Sequence, residues 1–210
     1  LIAARMKRGA FIVLEGLDRS GKTTQAKKLA EWFTSRGEKV HLMRFPDRDE
    51  PFGKVIDAYL KKEIELASPQ AVHLAFSLNR WQKADEIRSL ISSGTNIVCD
   101  RYCYSGVAYS IASGLDEKWV KCADMGLPQP DVVLRFDVDA HVAASRGGFG
   151  DERLESSDLQ KRVLIEMKKL ADESWKVVNA NDSVERVHNQ VVSFISSLDL
   201  SPQMDSIGLL

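Results

Sequence analysis

No excess of charge of either sign marks this chain: 29 Lys and Arg stand against 30 Asp and Glu, a formal net charge of −1. That balance argues against a nucleic-acid or membrane surface as the main partner, and confines positive charge to local phosphate sites. Cysteine is scarce. Cys99, Cys103 and Cys122 are an odd set with no metal-like pairing among the four histidines, so reduced thiols and a cytoplasmic setting are expected. No apolar run approaches the roughly 20 residues of a membrane span, and no signal peptide is recognisable, which points to a soluble chain. Low-complexity tracts and internal repeats are also missing. At 210 residues, one domain over 1–210 is expected, large enough for a core and a cleft. The tail from 199 is the best candidate for a frayed end.

What is present alternates between two patterns. Short apolar runs at 10–14, 40–43, 96–99, 132–136 and 176–178 read as buried strands. Helical patterns fill the intervals, at 22–36, 52–63, 69–93, 103–123, 139–146, 156–174 and 183–197. In the last, Val184, Val187, Val191, Phe194 and Leu198 share one apolar face. Repeated strand–helix units predict an α/β fold: a parallel five-stranded sheet in three layers, with helices on both faces and ligands at the carboxyl ends of the strands.

The most specific signal follows the first strand run. Gly16-Leu17-Asp18-Arg19-Ser20-Gly21-Lys22-Thr23 is a complete G-x-x-x-x-G-K-T loop leading into a helix pattern. Its glycines let successive backbone N–H groups turn inward on an anion. The helix behind it opens with unpaired N–H groups and a partial positive charge. Lys22 reaches the outer phosphates and the Thr23 hydroxyl is placed to ligand Mg²⁺, with Ser20 and Thr24 completing the nucleotide contacts. A P-loop NTPase fold that binds a nucleoside triphosphate is therefore expected. Arg19 can swing over the β- and γ-phosphates as an arginine finger supplied in cis, or simply fill a variable loop position. Arg146 and Arg153 are its rivals for that role.

Further polar residues fall where strands end. Phe45-Pro46-Asp47-Arg48 follows the second run; Arg48 offers a guanidinium to a phosphate, or is a surface residue of a charged loop. Asp100-Arg101-Tyr102 follows the third. Asp100 suits the Mg²⁺ shell through water and Arg101 a substrate phosphate, the alternative being an ordinary ion pair. Two arginines opposite a P-loop suggest transfer from one nucleotide to another. Phe76 and Arg80, four apart on a helix, make a base reader unless Phe76 belongs to the core. Tyr102, Ser105 and Tyr109 align as a sugar wall. The glycine-rich run Arg146-Gly147-Gly148-Phe149-Gly150-Asp151-Glu152-Arg153 reads as a lid near 146–155, or as a plain connection.

Taken in order, these motifs resemble the thymidylate kinase (dTMP kinase) family of eukaryotic and poxvirus type. The likeness extends through Asn79-Arg80-Trp81, Tyr104-Ser105-Gly106-Val107-Ala108-Tyr109 and Gly126-Leu127-Pro128-Gln129-Pro130-Asp131. It implies transfer of the ATP γ-phosphoryl group to dTMP, with Mg²⁺. Asp18 would meet the 3′-hydroxyl of dTMP, and Arg48 and Arg101 its phosphate. Phe76 would stack on thymine, Arg80 would bond its O4, and Tyr109 would crowd a ribose 2′-hydroxyl. Phe45, Ser105 and Gly106 would complete the dTMP pocket, with Gln160 approaching from behind the lid. Arg146 would lie along adenine, and a homodimer is implied by the resemblance alone.

Three positions depart from the family pattern: Leu154 where a tyrosine is usual, Glu50 where a threonine is usual, and Leu78 where an alanine is usual. Glu50 is expected to place an extra acid near Arg48. A broader deoxynucleoside monophosphate kinase is the nearest alternative. A P-loop switch is a more distant one, because no N-K-x-D guanine reader follows the loop.

Overall fold

A computed structural model describes residues 8–146 and 152–198. The residues of the lid run from 147 to 151, and the tail from 199, lie outside them. Among the described residues five strands alternate with helices: β1 Phe11–Gly16, α1 Lys22–Ser35, β2 Val40–Arg44, α2 Pro51–Leu60, α3 Pro69–Trp81, α4 Ala84–Ser92 and β3 Asn96–Asp100. The order continues with α5 Cys103–Ala112, α6 Glu117–Cys122, β4 Val132–Asp137, α7 Ala140–Ser145, α8 Ser157–Lys169, β5 Trp175–Asn179 and α9 Val184–Ser196.

All strands run parallel in the order β2-β3-β1-β4-β5, with β1 at the centre. Alternate side chains of each strand point to opposite faces, so the apolar runs feed two separate cores. Phe11, Val13, Ile97, Cys99 and Val133 meet Ile87 and Ile91 of α4, Tyr104 of α5, and Val163 and Met167 of α8 on one face. Ile12, Leu14, Val98, Leu134 and Val178 meet Leu29 and Phe33 of α1, and Val187 and Val191 of α9, on the other. The expected three-layer parallel α/β fold is what the chain adopts. Because Leu14 lies in register with Asp100, the P-loop and the Asp100-Arg101 turn emerge side by side.

Two long helical patterns are in fact pairs of helices. The 69–93 pattern breaks at Gln82-Lys83, because its halves bury different chemistry. α3 turns His73, Ser77, Asn79 and Arg80 inward, whereas α4 buries Ala84, Ile87 and Ile91. The 103–123 pattern breaks at Gly114, whose φ of 94° no continuing helix permits, and restarts where Asp116 accepts the N–H of Trp119. The 52–63 pattern stops at Leu60, just before Lys62 with its φ of 65°.

Candidate active site

β1 delivers the chain into a tight anion-binding turn. Gly16 has a φ of 145°, and a Cβ there would stand 2.7 Å from the Phe136 carbonyl oxygen. Gly21 caps α1 in the left-handed region at a φ of 93°. Lys22 is folded into the loop: its Nζ donates to Leu17 O at 2.6 Å and Ser20 Oγ at 3.2 Å. Burial, helped by Arg101, lowers its pKa to about 8 against the opposing pull of Asp100, Asp18 and Glu15. Thr23 Oγ1 donates to Asp100 Oδ2 at 2.5 Å. A hydroxyl and a carboxylate side by side are hard oxygen donors of the kind Mg²⁺ takes, with water completing the shell. Arg146 ties the loop to the far strand, donating to Arg19 O and to Ala180 O, each at 2.7 Å.

One cavity of about 770 Å³ gathers most of the candidate residues. Asp18, Arg19, Gly21, Lys22, Thr23, Thr24, Asp100 and Arg146 line one end. Phe45, Arg48, Phe76, Arg80, Arg101, Ser105, Gly106 and Tyr109 line the remainder. Gly16, Ser20 and Gln160 stand behind this wall. Gln160, though buried, acts through its neighbours, because its Nε2 donates to Asp18 Oδ2 at 2.8 Å and to the Tyr109 hydroxyl at 2.6 Å.

Asp18 is the hub of the middle region. It accepts from Arg101, from Gln160 and from the Tyr109 hydroxyl at 3.2 Å. Burial opposes its charge, but Arg101 and Lys22 outweigh that and hold the carboxyl below the usual aspartate range. Arg101 also donates to Gly16 O and Ser105 Oγ, both at 3.1 Å. Its turn is fixed from beneath by Glu15, a fully buried residue that belongs to none of the sequence motifs. Glu15 Oε1 accepts the N–H groups of Tyr102 at 2.9 Å and Ser105 at 3.1 Å, and Ser105 Oγ donates to Oε2. A glutamate in an otherwise apolar strand run was the available signal.

At the far end Phe76 is half-buried and forms cavity wall, so it is not a core residue. Arg80 is 2% exposed and Asp124 0%; Arg80 Nε and Nη2 donate to Asp124 Oδ1 at 3.1 and 2.9 Å, and Nη2 to Oδ2 at 2.6 Å. Ser77 Oγ adds a bond to Asp124 at 2.8 Å. Gly106 lets α5 approach this pair, since a Cβ would meet Arg80 Nη1 at 2.8 Å. Nothing in the sequence marks Asp124 as the partner, because 44 residues separate them. Asn79 pins the loop before α2, accepting from Asp47 N at 2.7 Å and donating to Asp47 O at 3.0 Å.

Two expectations about charge are corrected. Glu50 does not crowd Arg48. It pairs with Lys83 at 2.9 Å, where burial is too slight to offset Glu50 and Glu86 and the lysine pKa rises. Arg153 is not placed over the P-loop: it stacks 4.6 Å above the Tyr59 ring and bonds Glu65 at 2.6 Å.

Comparison with known proteins agrees with this geometry. A family model described as thymidylate kinase matches residues 14–191. The thymidylate kinase of Caenorhabditis elegans is 47% identical over 216 residues, covering 98% of this chain and 99% of that protein. The human thymidylate kinase is 42% identical over 189 residues, covering 88% of this chain and 89% of its own length. A solved thymidylate kinase from Candida albicans superposes with a TM-score of 0.87 at 33% identity, covering 95% of this chain and 98% of that one.

Proposed function

Because this chain belongs to the thymidylate kinase family, and phosphorylates dTMP with ATP in nucleotide biosynthesis, we propose that its cavity divides into a donor half and an acceptor half. The observation that carries this division is one cavity with the P-loop at one end, Phe76 and Arg80 at the other, and Arg48 and Arg101 between them. Lys22, Arg19 and the loop N–H groups hold the triphosphate, with Gly16, Ser20, Gly21 and Thr24 shaping the turn and Arg146 beside adenine. Thr23, and Asp100 through water, would hold Mg²⁺, which would supply charge neutralisation on the triphosphate.

Arg48 and Arg101 hold the dTMP phosphate in line with the γ-phosphate. Its oxygen is already ionised, so Asp18 has no proton to remove and serves the 3′-hydroxyl instead. Phosphoryl transfer then depends on positioning and on charge spread over Lys22, Arg19 and Arg101. Tyr109, braced by Gln160, fills the side of the sugar where a ribose 2′-hydroxyl would project. Phe45, Ser105 and Gly106 close the pocket around it.

The described residues share one sheet and work as a single kinase domain. Leu74, Leu78 and Trp81, spaced along one face of α3, are 48%, 40% and 38% exposed, an apolar stripe suited to pairing in a homodimer. A cytoplasmic site is consistent with the free thiols of Cys99, Cys103 and Cys122. Among the described residues no helix is long and apolar enough to cross a membrane, and the balanced charge offers no broad nucleic-acid surface.

Base choice tests the acceptor half. One methyl in an apolar pocket is worth roughly 1–3 kcal/mol, so kcat/KM for dTMP should exceed that for dUMP by that margin. The gap to dCMP should be wider, because Arg80 can only donate and dCMP presents an amine at that position. Equal kcat/KM for dCMP and dTMP would overturn the placement of Arg80.

A further inference from the structure

Arg48 meets two carboxylates through its terminal nitrogens, and among the described residues its Nε has no acceptor. Nη1 donates to Glu152 Oε1 at 2.7 Å and Nη2 to Glu152 Oε2 at 3.0 Å, an end-on fork. Nη1 donates also to Asp57 Oδ1 at 2.7 Å. Nε is buried and has no hydrogen-bond partner among the described residues. A guanidinium carries its N–H donors in one rigid plane. The donors left over, on Nε and on the near side of Nη2, form the lateral edge, whose spacing matches two oxygens of one phosphate.

Glu152 is itself held firmly. The backbone N–H of Arg153 donates to Leu60 O at 2.9 Å, its Nε to Tyr59 O at 3.1 Å, and its Nη2 to Glu65. The Glu152 N–H donates to Glu155 Oε2 at 3.2 Å. These bonds fasten the segment that begins at Glu152 onto the end of α2, the helix that also carries Asp57. A long arginine side chain that must be immobilised on binding weakens that binding; one held beforehand does not.

We propose that Glu152 is a positioning residue for the acceptor phosphate: by gripping Arg48 end-on, it turns the lateral edge of the guanidinium toward dTMP. This rests on the reading of Arg48 as a phosphate ligand. The carboxylate and the phosphate take different edges of one cation, so Glu152 assists binding and does not compete with it. Asp57 contributes a second, single bond and has the smaller share.

Binding of dTMP and of thymidine, measured by calorimetry, separates the possibilities, because thymidine lacks the phosphate. For Glu152→Gln and Glu152→Ala, dTMP affinity should fall about tenfold, the scale of a charge-assisted hydrogen bond, with Ala the worse. Thymidine affinity and KM for ATP should stay within about twofold, within the spread of remote surface changes. Tighter dTMP binding by Glu152→Gln would show competition and overturn the proposal. Equal weakening of dTMP and thymidine would show general disruption and overturn it too. Arg48→Ala is the separate check on the underlying reading: if it leaves the gap between dTMP and thymidine unchanged, Arg48 does not hold the phosphate. If Arg48→Ala closes that gap and both Glu152 variants leave it intact, the reading stands and the role of Glu152 fails.

Discussion

Replacing Asp124 by alanine should destabilise the fold by about 3–5 kcal/mol, the cost of leaving a buried charge without its partner. Arg80 is 2% exposed, and two of its nitrogens converge on Asp124, so the change strands a guanidinium that water cannot reach. The Ser77 hydroxyl loses an acceptor as well. For a chain of this size that loss corresponds to a fall in Tm of roughly 6–20 °C. Differential scanning calorimetry gives the answer, and a fall below about 2 °C would show that the ion pair carries little of the stability. The same variant should blur base selection, because Asp124 fixes the direction in which Arg80 meets the base.

Arg19→Gly is expected to lower kcat by about two orders of magnitude or more while KM for ATP changes little, the signature of a contact made in the transition state. The substitution is well matched to the site. Arg19 has a φ of 61°, which glycine adopts without strain, so the loop keeps its shape while the guanidinium is removed. Its two rivals have other work. Arg146 is bonded to the carbonyls of Arg19 and Ala180, and Arg153 is fastened to the end of α2. Steady-state kinetics with saturating dTMP measures the effect. A kcat within a few-fold of wild type would move the charge-stabilising role to Lys22 and Arg101.

Local chemistry in this chain was legible and long-range pairing was not. The P-loop could be read because its glycines, lysine and threonine are consecutive and need only a strand before and a helix after. The five apolar runs put Asp100 at the same edge of the sheet as the loop, since parallel strands expose their carboxyl ends together; only the pairing of β3 with β1 sets the two side by side. Phe76 and Arg80 followed from helical spacing. The helix break at Gly114 was written in the sequence, in Ser113-Gly114 ahead of Asp116, but a continuing apolar rhythm masked it. Asp124, Glu15 and Glu152 escaped for a different reason. Each acts by satisfying a cation or an N–H brought to it by the fold, and a carboxylate in sequence carries no mark of the partner it will meet. Glu50 shows the converse: nearness to Arg48 along the chain suggested contact, but Lys83 across the loop took the carboxylate instead.

The most direct test of the proposed donor and acceptor halves follows ADP and dTDP together, by chromatography of a single reaction containing ATP and Mg²⁺. Little ADP should form until dTMP is added, after which ADP and dTDP should appear in equal amounts. ADP accumulating without dTMP, or stimulated by dTMP without matching dTDP, would contradict direct transfer between two nucleotides held in one cavity.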